Sequence, residues 1–363
     1  MVNIVKREIG LLFGILLIVF MTTLGEAWLN DLSNHLTTAI SFFMIFTIML
    51  WVSFKVVQHA DMLAIKLGEP YGTMILTFAV ISIEVIMISA IMLNGEHNPT
   101  LGRDTMFSVI MIVLNGLVGL SLLIGGLKHV EQSYNLQGAN TYMIVLIPLA
   151  AIGLILPDLT KSSSAGTFSE TQTGFIIAIT ILLYVAFLIA QTIRHKNYFV
   201  VSLSKSLDVE HHKPKSISFH LAFLFAYMAV IILLSKKMAI IIEYTITEIN
   251  APVALGGFLV AILVLSPEGL AAIKSAARNN LQRSINICLG SALATIGLTI
   301  PAILIIGLVT DENIILGLDE LDIFLLILTL VVSIVNFSSA KSNIIQGIVH
   351  LMIFLVYIIL LFD

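Results

Sequence analysis

The chain has 363 residues, 58% of them hydrophobic and 11% charged, with a mean hydropathy of +1.06. Soluble domains carry about 25% charged residues, so this composition excludes a soluble enzyme, a disordered chain and a coiled coil, and leaves an all-α polytopic membrane protein. Eighteen basic and 22 acidic residues give a net charge of −4, with no electrostatic footprint for nucleic acid, and the single Cys288 excludes an internal disulfide.

Crossing a bilayer takes about 20 apolar residues. Eleven transmembrane helices are predicted, at 8–24, 37–57, 70–93, 105–127, 141–157, 173–193, 217–235, 252–274, 284–309, 321–337 and 343–361. The first follows Lys6 and Arg7 as a secretory signal would. No small-residue cleavage site follows it, so it is expected to remain as a helix. Residues 58–69 (QHADMLAIKLGE) alternate apolar side chains with His59, Asp61 and Lys66. They read either as an interfacial or gating helix, with His59 and Asp61 relaying protons, or as a plain polar connection. Glu69 and Pro70 then open the third helix, an acid at its positive end and proline in its first turn. The longest connection, 194–216, contains Asp208, Glu210, His211 and His212. These are metal-binding or pH-sensing residue types, but the stretch reads as a flexible linker between halves. After the ninth span come Asp311, Glu312, Asp319, Glu320 and Asp322 with no base among them. They read as a solvated loop or as an acidic rim that concentrates cations.

Basic residues set orientation. The N-terminal end and the loops after even-numbered spans hold 14 Lys and Arg, and the opposite side holds four. This predicts a multi-pass protein of the cell membrane with a cytoplasmic N-terminus and an outward C-terminus.

The chain also resembles itself. Residues 72–84 (GTMILTFAVISIE) lie on 256–268 (GGFLVAILVLSPE), pairing Gly72 with Gly256, Ser82 with Ser266 and Glu84 with Glu268 at one offset of 184. Further on, 104–116 lies on 280–292 after an eight-residue insertion near Asn94–Leu101, which pairs Asn115 with Ser291. Setting aside the first helix, each half has five spans. Five is odd, so the second half begins on the opposite side, and the repeats are inverted. The expected organisation is an extra N-terminal helix and loop (1–36), a first five-helix repeat (37–193), a cytoplasmic linker (194–216) and a second repeat (217–363).

Glu84 and Glu268 each stand twelve residues beyond their repeat's glycine. That is about 18 Å along a helix, near the middle of a core about 30 Å thick. An acid there costs on the order of 2.5–3.5 kcal/mol on insertion scales. No Lys or Arg lies in the middle of any predicted span, so the neutralising charge must come and go, as protons or as a cation. Ser82 and Ser266 lie two residues before the acids, and Asn115, Ser291 and Thr295 on the helices that follow. These are hard oxygen ligands, suited to Ca²⁺, and Cys288 is the soft ligand singled out among the spans. Two negative charges match one divalent cation or two protons. Na⁺ or K⁺ with one retained proton is equally neutral. Pro267, just before Glu268, removes a helix N–H and is expected to break the helix and leave a carbonyl available. Gly119, Gly290 and Gly297 are expected to let helices approach closely.

GEPYGTMILTFAVISIEV (68–85) and SPEGLAAIKSAARNNLQRSINICLGSALATIGLTIPA (266–302) resemble the ChaA-type calcium (sodium, potassium)/proton antiporters of the cation/calcium exchanger superfamily. The resemblance runs over nearly the whole chain. It implies ten core helices in two inverted repeats, with Glu84 and Glu268 in the places of the ion-binding acids. It also puts Asn115 and Ser291 in the places of the polar residues on the next helices. Vacuolar relatives carry Gly-Asn-x-x-Glu, whereas here Ile81 and Leu265 stand three before the acids, so cation selectivity does not carry over from that branch.

The function expected is secondary Ca²⁺/H⁺ exchange by alternating access, with Na⁺/H⁺ or K⁺/H⁺ exchange on the same site as the alternative. A cation channel is the remote alternative. The sequence calls for no cofactor, shows no HExxH, P-loop or paired nucleophile and base that would make an enzyme, and leaves homo-oligomerisation open.

Overall fold

The computed structural model describes residues 8–67, 71–94, 99–200, 216–248 and 250–362. Glu69, Pro70, Asp208, Glu210, His211 and His212 lie outside the described residues. Among the described residues, twelve helices follow one another, apart from a single 3-10 turn at Lys196–Tyr198: α1 Ile9–Thr22, α2 Glu26–Asn30, α3 His35–Leu67, α4 Tyr71–Asn94, α5 Leu101–His129, α6 Leu136–Leu159, α7 Glu170–Arg194, α8 Ile217–Glu248, α9 Ala254–Ala277, α10 Leu281–Thr310, α11 Glu320–Asn336 and α12 Ile344–Leu360. Among the described residues, seven helices are long and apolar enough to cross a membrane: α3, α5, α6, α7, α8, α9 and α10. The protein is therefore a helical, multi-pass membrane protein. Within α5, α6 and α7, π-helical turns occupy Met111–Leu117, Ala151–Ile155 and Ala190–Arg194.

The chain divides into two compact units, Met1–Asn98 with Lys213–Pro267, and Pro99–His212 with Glu268–Asp363. The first is built on α3 and α8. Along α3 the buried residues are Ile45, Met49, Val52, Val56, Ala60 and Leu63. Along α8 they include Leu224, Tyr227, Ile231, Leu234, Met238 and Ile241. Both series advance by threes and fours, the spacing of a seam between two long helices crossing at a shallow angle. The last turns of α3 meet the first turns of α8, so the two run antiparallel. Gly14 lets α1 lie against α8, since a Cβ there would stand 2.6 Å from Val230.

Two helices run further than the apolar windows predicted. Residues 58–67 are neither a separate interfacial helix nor a loop but the last turns of α3. Likewise α8 passes Lys236 and Lys237 and continues to Glu248. No glycine or proline interrupts either stretch, and Met238, Ile241 and Ile242 keep the buried spacing going.

Pro267 does not break α9, which is continuous from Ala254 to Ala277. The carbonyl that loses its donor is that of Leu263, four residues back. Ser53 of α3 donates to it at 3.3 Å while also donating to Leu50 O at 2.8 Å. The freed oxygen is therefore covered by a hydroxyl rather than left open.

In the second unit, α5 packs against α10 and α12. Ser284 donates to Ser121 at 2.9 Å, and a Cβ on Gly102 would meet Ile303 at 2.6 Å, so α5 and α10 run antiparallel. Gly126 faces Ile344, Gly119 faces Leu351 and Gly116 faces Phe354, so α5 and α12 are antiparallel too. Gly119 thus makes the close approach expected of it, as does Gly297 against Tyr184, whereas a Cβ on Gly290 would meet Tyr142 at 3.6 Å, an ordinary contact that does not call for glycine.

The connections gather at two ends. At one, two-residue strands β1 (Gln132–Ser133) and β2 (Lys341–Ser342) pair antiparallel, Gln132 opposite Ser342. There Gln132 also donates to Ala276 O at 2.9 Å and Asn286 to Phe199 O at 2.7 Å. At the other end, Ile315 N donates to Pro99 O and Leu316 N to Gly166 O. Arg103 donates to Gly317 O at 2.9 Å and to Asp104 at 2.8 Å, and stands 3.7 Å from Asp319. The acidic rim is thus not without a base, as its sequence neighbourhood suggested: Arg103 comes to it from α5, more than 200 residues away.

Two predictions follow from packing. A methyl on Gly347 would stand 2.5 Å from Leu123 N and 2.8 Å from Gly119 O, backbone atoms that cannot give way. Gly347→Ala should therefore lower thermal stability in detergent by about 1–3 kcal/mol, whereas Gly174→Ala, with nothing within 4 Å, should not lower it. Ser53→Ala should cost about 1 kcal/mol by uncovering Leu263 O. In a Pro267→Ala background, where the helix N–H returns, that cost should vanish in a double-mutant cycle.

Candidate functional site

Glu84 is the fourteenth of the 24 residues of α4, and Glu268 the fifteenth of the 24 of α9. Both therefore sit mid-helix, with about 20 Å of helix before them. Glu84 is fully buried, at 0% exposure, among Val80, Ile81, Ile83, Met87 and Ile88 of its own helix. Ser82, on the same helix, is half-buried.

Glu268 and Ser266 are half-buried. The Ser266 hydroxyl turns back along the helix to donate to Ile262 O. Glu268 belongs to the second unit, where it lies within electrostatic reach of Cys288 on α10. Cys288 is buried and free, as a lone core thiol would be. Ser291 stands three residues beyond Cys288 on α10. Its hydroxyl oxygen is buried and has no hydrogen-bond partner among the described residues. An orphaned buried oxygen of this kind calls for an explanation, such as an ion or water the chain is built to receive.

Asn115 is fully buried on the π-helical stretch of α5. A π-turn marks a helix held out of its ordinary register, and such turns recur at functional sites. Here the turn carries the Asn115 amide to partners on α11 and α12. Its nitrogen donates to Thr329 of α11 at 2.8 Å, and its oxygen stands 3.1 Å from His350 Nδ1 of α12. A carbonyl oxygen only accepts, so His350 Nδ1 carries the proton. Asn115 and Ser291, paired by the sequence repeat, thus differ in the second unit: one amide is fully engaged and one hydroxyl is not. Thr295, one turn beyond Ser291, is buried.

Sequence reasoning missed His350. It is fully buried within the apolar helix α12, so Cys288 is not the one soft side chain buried in such a helix. The signal was present: an imidazole inside IIQGIVHLMIFLVYIIL is an ionisable group in an apolar run, the same anomaly that drew attention to Glu84. Thr329, whose hydroxyl holds the Asn115 amide, gave no such signal, because a lone threonine in a spanning helix is common.

What the arrangement can do follows from ligand type. Carboxylates, hydroxyls and an amide are hard oxygen donors that accept an alkali or alkaline-earth cation, and the carboxylates also accept protons. Among the described residues no cluster of three or more His, Cys, Asp or Glu could cage a resident metal.

Comparison with known proteins agrees. The family model described as sodium/calcium exchanger protein matches residues 37–193 and 219–362. The chain is 39% identical to the sodium-potassium/proton antiporter ChaA of Escherichia coli (strain K12) over 362 residues, covering 98% of this chain and 96% of that one. It is 25% identical to the Ca(2+)/H(+) antiporter ChaA of Bacillus subtilis (strain 168) over 235 residues, 64% of this chain and 66% of that one. Its fold is similar to the structure of native YfkE, with a TM-score of 0.76 at 20% identity, covering 98% of this chain and 99% of that one. The chain belongs to the sodium/calcium exchanger family, a branch of the cation/calcium exchanger superfamily of membrane antiporters.

Proposed function

We propose that the chain is a secondary cation/proton antiporter of the cell membrane in which protons and cation compete for Glu84 and Glu268. The observation that carries this reading is the pair itself. Two acids stand at matching mid-helix positions of two 24-residue apolar helices, neither of which carries a lysine or arginine within five residues of its acid. Burying such a carboxylate bare is too costly, so each must be loaded before the site can change sides. That rule couples cation to proton and separates an exchanger from a channel, which would pass ions without counter-transport. Ser82, Ser266, Asn115 and Ser291 would complete the oxygen set, Asn115 once its amide turns from His350 or through a water.

The same reading takes the chain as eleven spans, with 1–36 ahead of two inverted repeats, 37–193 and 217–363, joined by a cytoplasmic linker. In support, the family model matches twice, on nearly those two stretches. The antiparallel course of α3 and α8, and of α5 and α10, is what inversion demands of equivalent helices. The helices that lead each half fall together in one compact unit. The excess of Lys and Arg on one side supports a cytoplasmic N-terminus.

Charge balance favours Ca²⁺, which two carboxylates neutralise as two protons do. Na⁺ or K⁺ exchange is the second reading, favoured by the 39% identity to a sodium-potassium/proton antiporter. Proteoliposomes with an imposed proton gradient and a pH-sensitive dye separate the two. Collapse of the gradient by micromolar Ca²⁺ supports the first, collapse by Na⁺ or K⁺ only supports the second, and no collapse with any of them overturns both. Glu84→Gln and Glu268→Gln should each abolish the response while the protein elutes as a folded species; retained exchange in either would sink the shared site. Ser291→Ala should leave thermal stability unchanged, since no hydrogen bond is lost, yet raise the cation concentration for half-maximal exchange about five- to tenfold, the worth of about 1 kcal/mol.

A further inference from the structure

A second set of titratable groups is buried at one end of the first unit, outside the glutamate pair. Glu8 precedes α1, His59 lies near the end of α3, and His220 and Tyr227 lie in the first turns of α8. Their exposures are 4%, 3%, 2% and 0%. The Tyr227 hydroxyl donates to Glu8 Oε2 at 3.1 Å. His59 Nε2 stands 3.3 Å from the same oxygen, and His59 Nδ1 stands 3.0 Å from His220 Nδ1. The His59 ring stacks on Phe223 at 5.6 Å and 11°, with Phe219 and Tyr227 beside it, a surface that favours an imidazolium. A metal reading fails on geometry: His59 directs one nitrogen to each neighbour, so the donors form a chain and do not converge on a point.

The proton count follows from those contacts. A carboxylate accepts, so His59 Nε2 donates to Glu8. Two Nδ1 atoms at 3.0 Å share one proton. With His59 neutral, its Nδ1 accepts from His220. With His59 charged, its Nδ1 donates to His220. These two states differ by one proton and both keep every contact. A second imidazolium would place hydrogens on both Nδ1 atoms, face to face, and force the rings apart.

Among the described residues, the other charged groups near the array are few. Lys55, one turn before His59, acts on Glu8 and donates to Gln58 at 3.1 Å. Asp61 is exposed. Helix α1 has no titratable residue, and α4 has Tyr71 and Glu84.

We propose that Glu8, His59, His220 and Tyr227 form a second proton-binding site, which clamps α1, α3 and α8 while it holds one imidazolium and releases them on taking up another proton. Given the cytoplasmic N-terminus argued above, this site reads cytoplasmic pH, and exchange slows when the clamp opens. The proton relay that the sequence offers at His59 and Asp61 runs instead between His59 and His220 in this proposal.

The test has two arms. In proteoliposomes at saturating cation, lowering the pH on the N-terminal side from 7.5 to 5.5 should slow the parent at least about fivefold and His220→Gln less than about twofold, since glutamine takes up no second proton. Superimposed profiles for parent and variant would overturn the proposal. Hydrogen exchange on the full-length Glu84→Gln protein forms the second arm. The end of α3 and the start of α8 should lose protection together as pH falls from 7.5 to 5.5, and protection that does not change would overturn the proposal. Because Glu84→Gln is expected not to transport, this arm stands apart from the exchange reading: active Glu84→Gln defeats that reading, unchanged protection defeats this one.

Discussion

Hydrocarbon does not tolerate bare charge, and much of this molecule can be derived from that. A carboxylate at the depth of Glu84 can stay only if something neutralises it, and its own helix, α4, carries no lysine or arginine. A resident arginine would make such a site permanently occupied. In the exchange proposed for this chain, a position open to mobile charge turns a cost of folding into a means of coupling. Where a fixed base does occur, as with Arg103 beside Asp104 and Asp319, it stands at a helix start, and its task is to tie α5 to the loop before α11.

The same solvent removes the usual reason for helices to associate, because lipid is as apolar as a leucine side chain. Two devices take its place. One is the long seam of α3 and α8, where threes and fours keep matching faces together over many turns. The other is close backbone approach: Gly119, Gly126 and Gly347 bring α5 and α12 near enough for dispersion to act, and hydroxyl pairs such as Ser121 and Ser284 add directed contacts. Hydroxyls also repair the backbone. Ser53 reaches Leu263 O, so Pro267 can sit beside Glu268 without an unsatisfied carbonyl in hydrocarbon.

The sequence made the helices legible because spanning stretches are long and chemically uniform: the spans expected at 70–93 and 284–309 differ from α4 and α10 by no more than three residues at either end. The ends of α3 and α8 were misjudged because polar residues such as His59 and Lys236 were taken as the end of a helix, although polarity ends only its lipid exposure. Glu84 and Glu268 were legible as anomalies of charge. His350 was equally anomalous but lacked a counterpart in the other half, and repetition was the filter applied. Contacts that join distant segments, such as Arg103 with Asp319 or His59 with His220, leave no local pattern. They depend on which helix ends become neighbours, and periodicity does not report that. The geometry that would bring the site residues into one coordination sphere is likewise not written in spacing alone.

The π-helical stretch Met111–Leu117 has an evolutionary consequence. Such a stretch holds one residue more than regular winding would, so it behaves as an insertion lodged inside a helix. Deleting one residue there would restore ordinary winding and keep the span apolar. The residues beyond it, Gly119 and Gly126 among them, would keep their faces toward α12. What would change is the aim of the residues within the stretch, Asn115 above all. Descendants of this chain can therefore lose that one residue and keep the packing of α5 on α12, but they lose with it the present placing of the Asn115 amide.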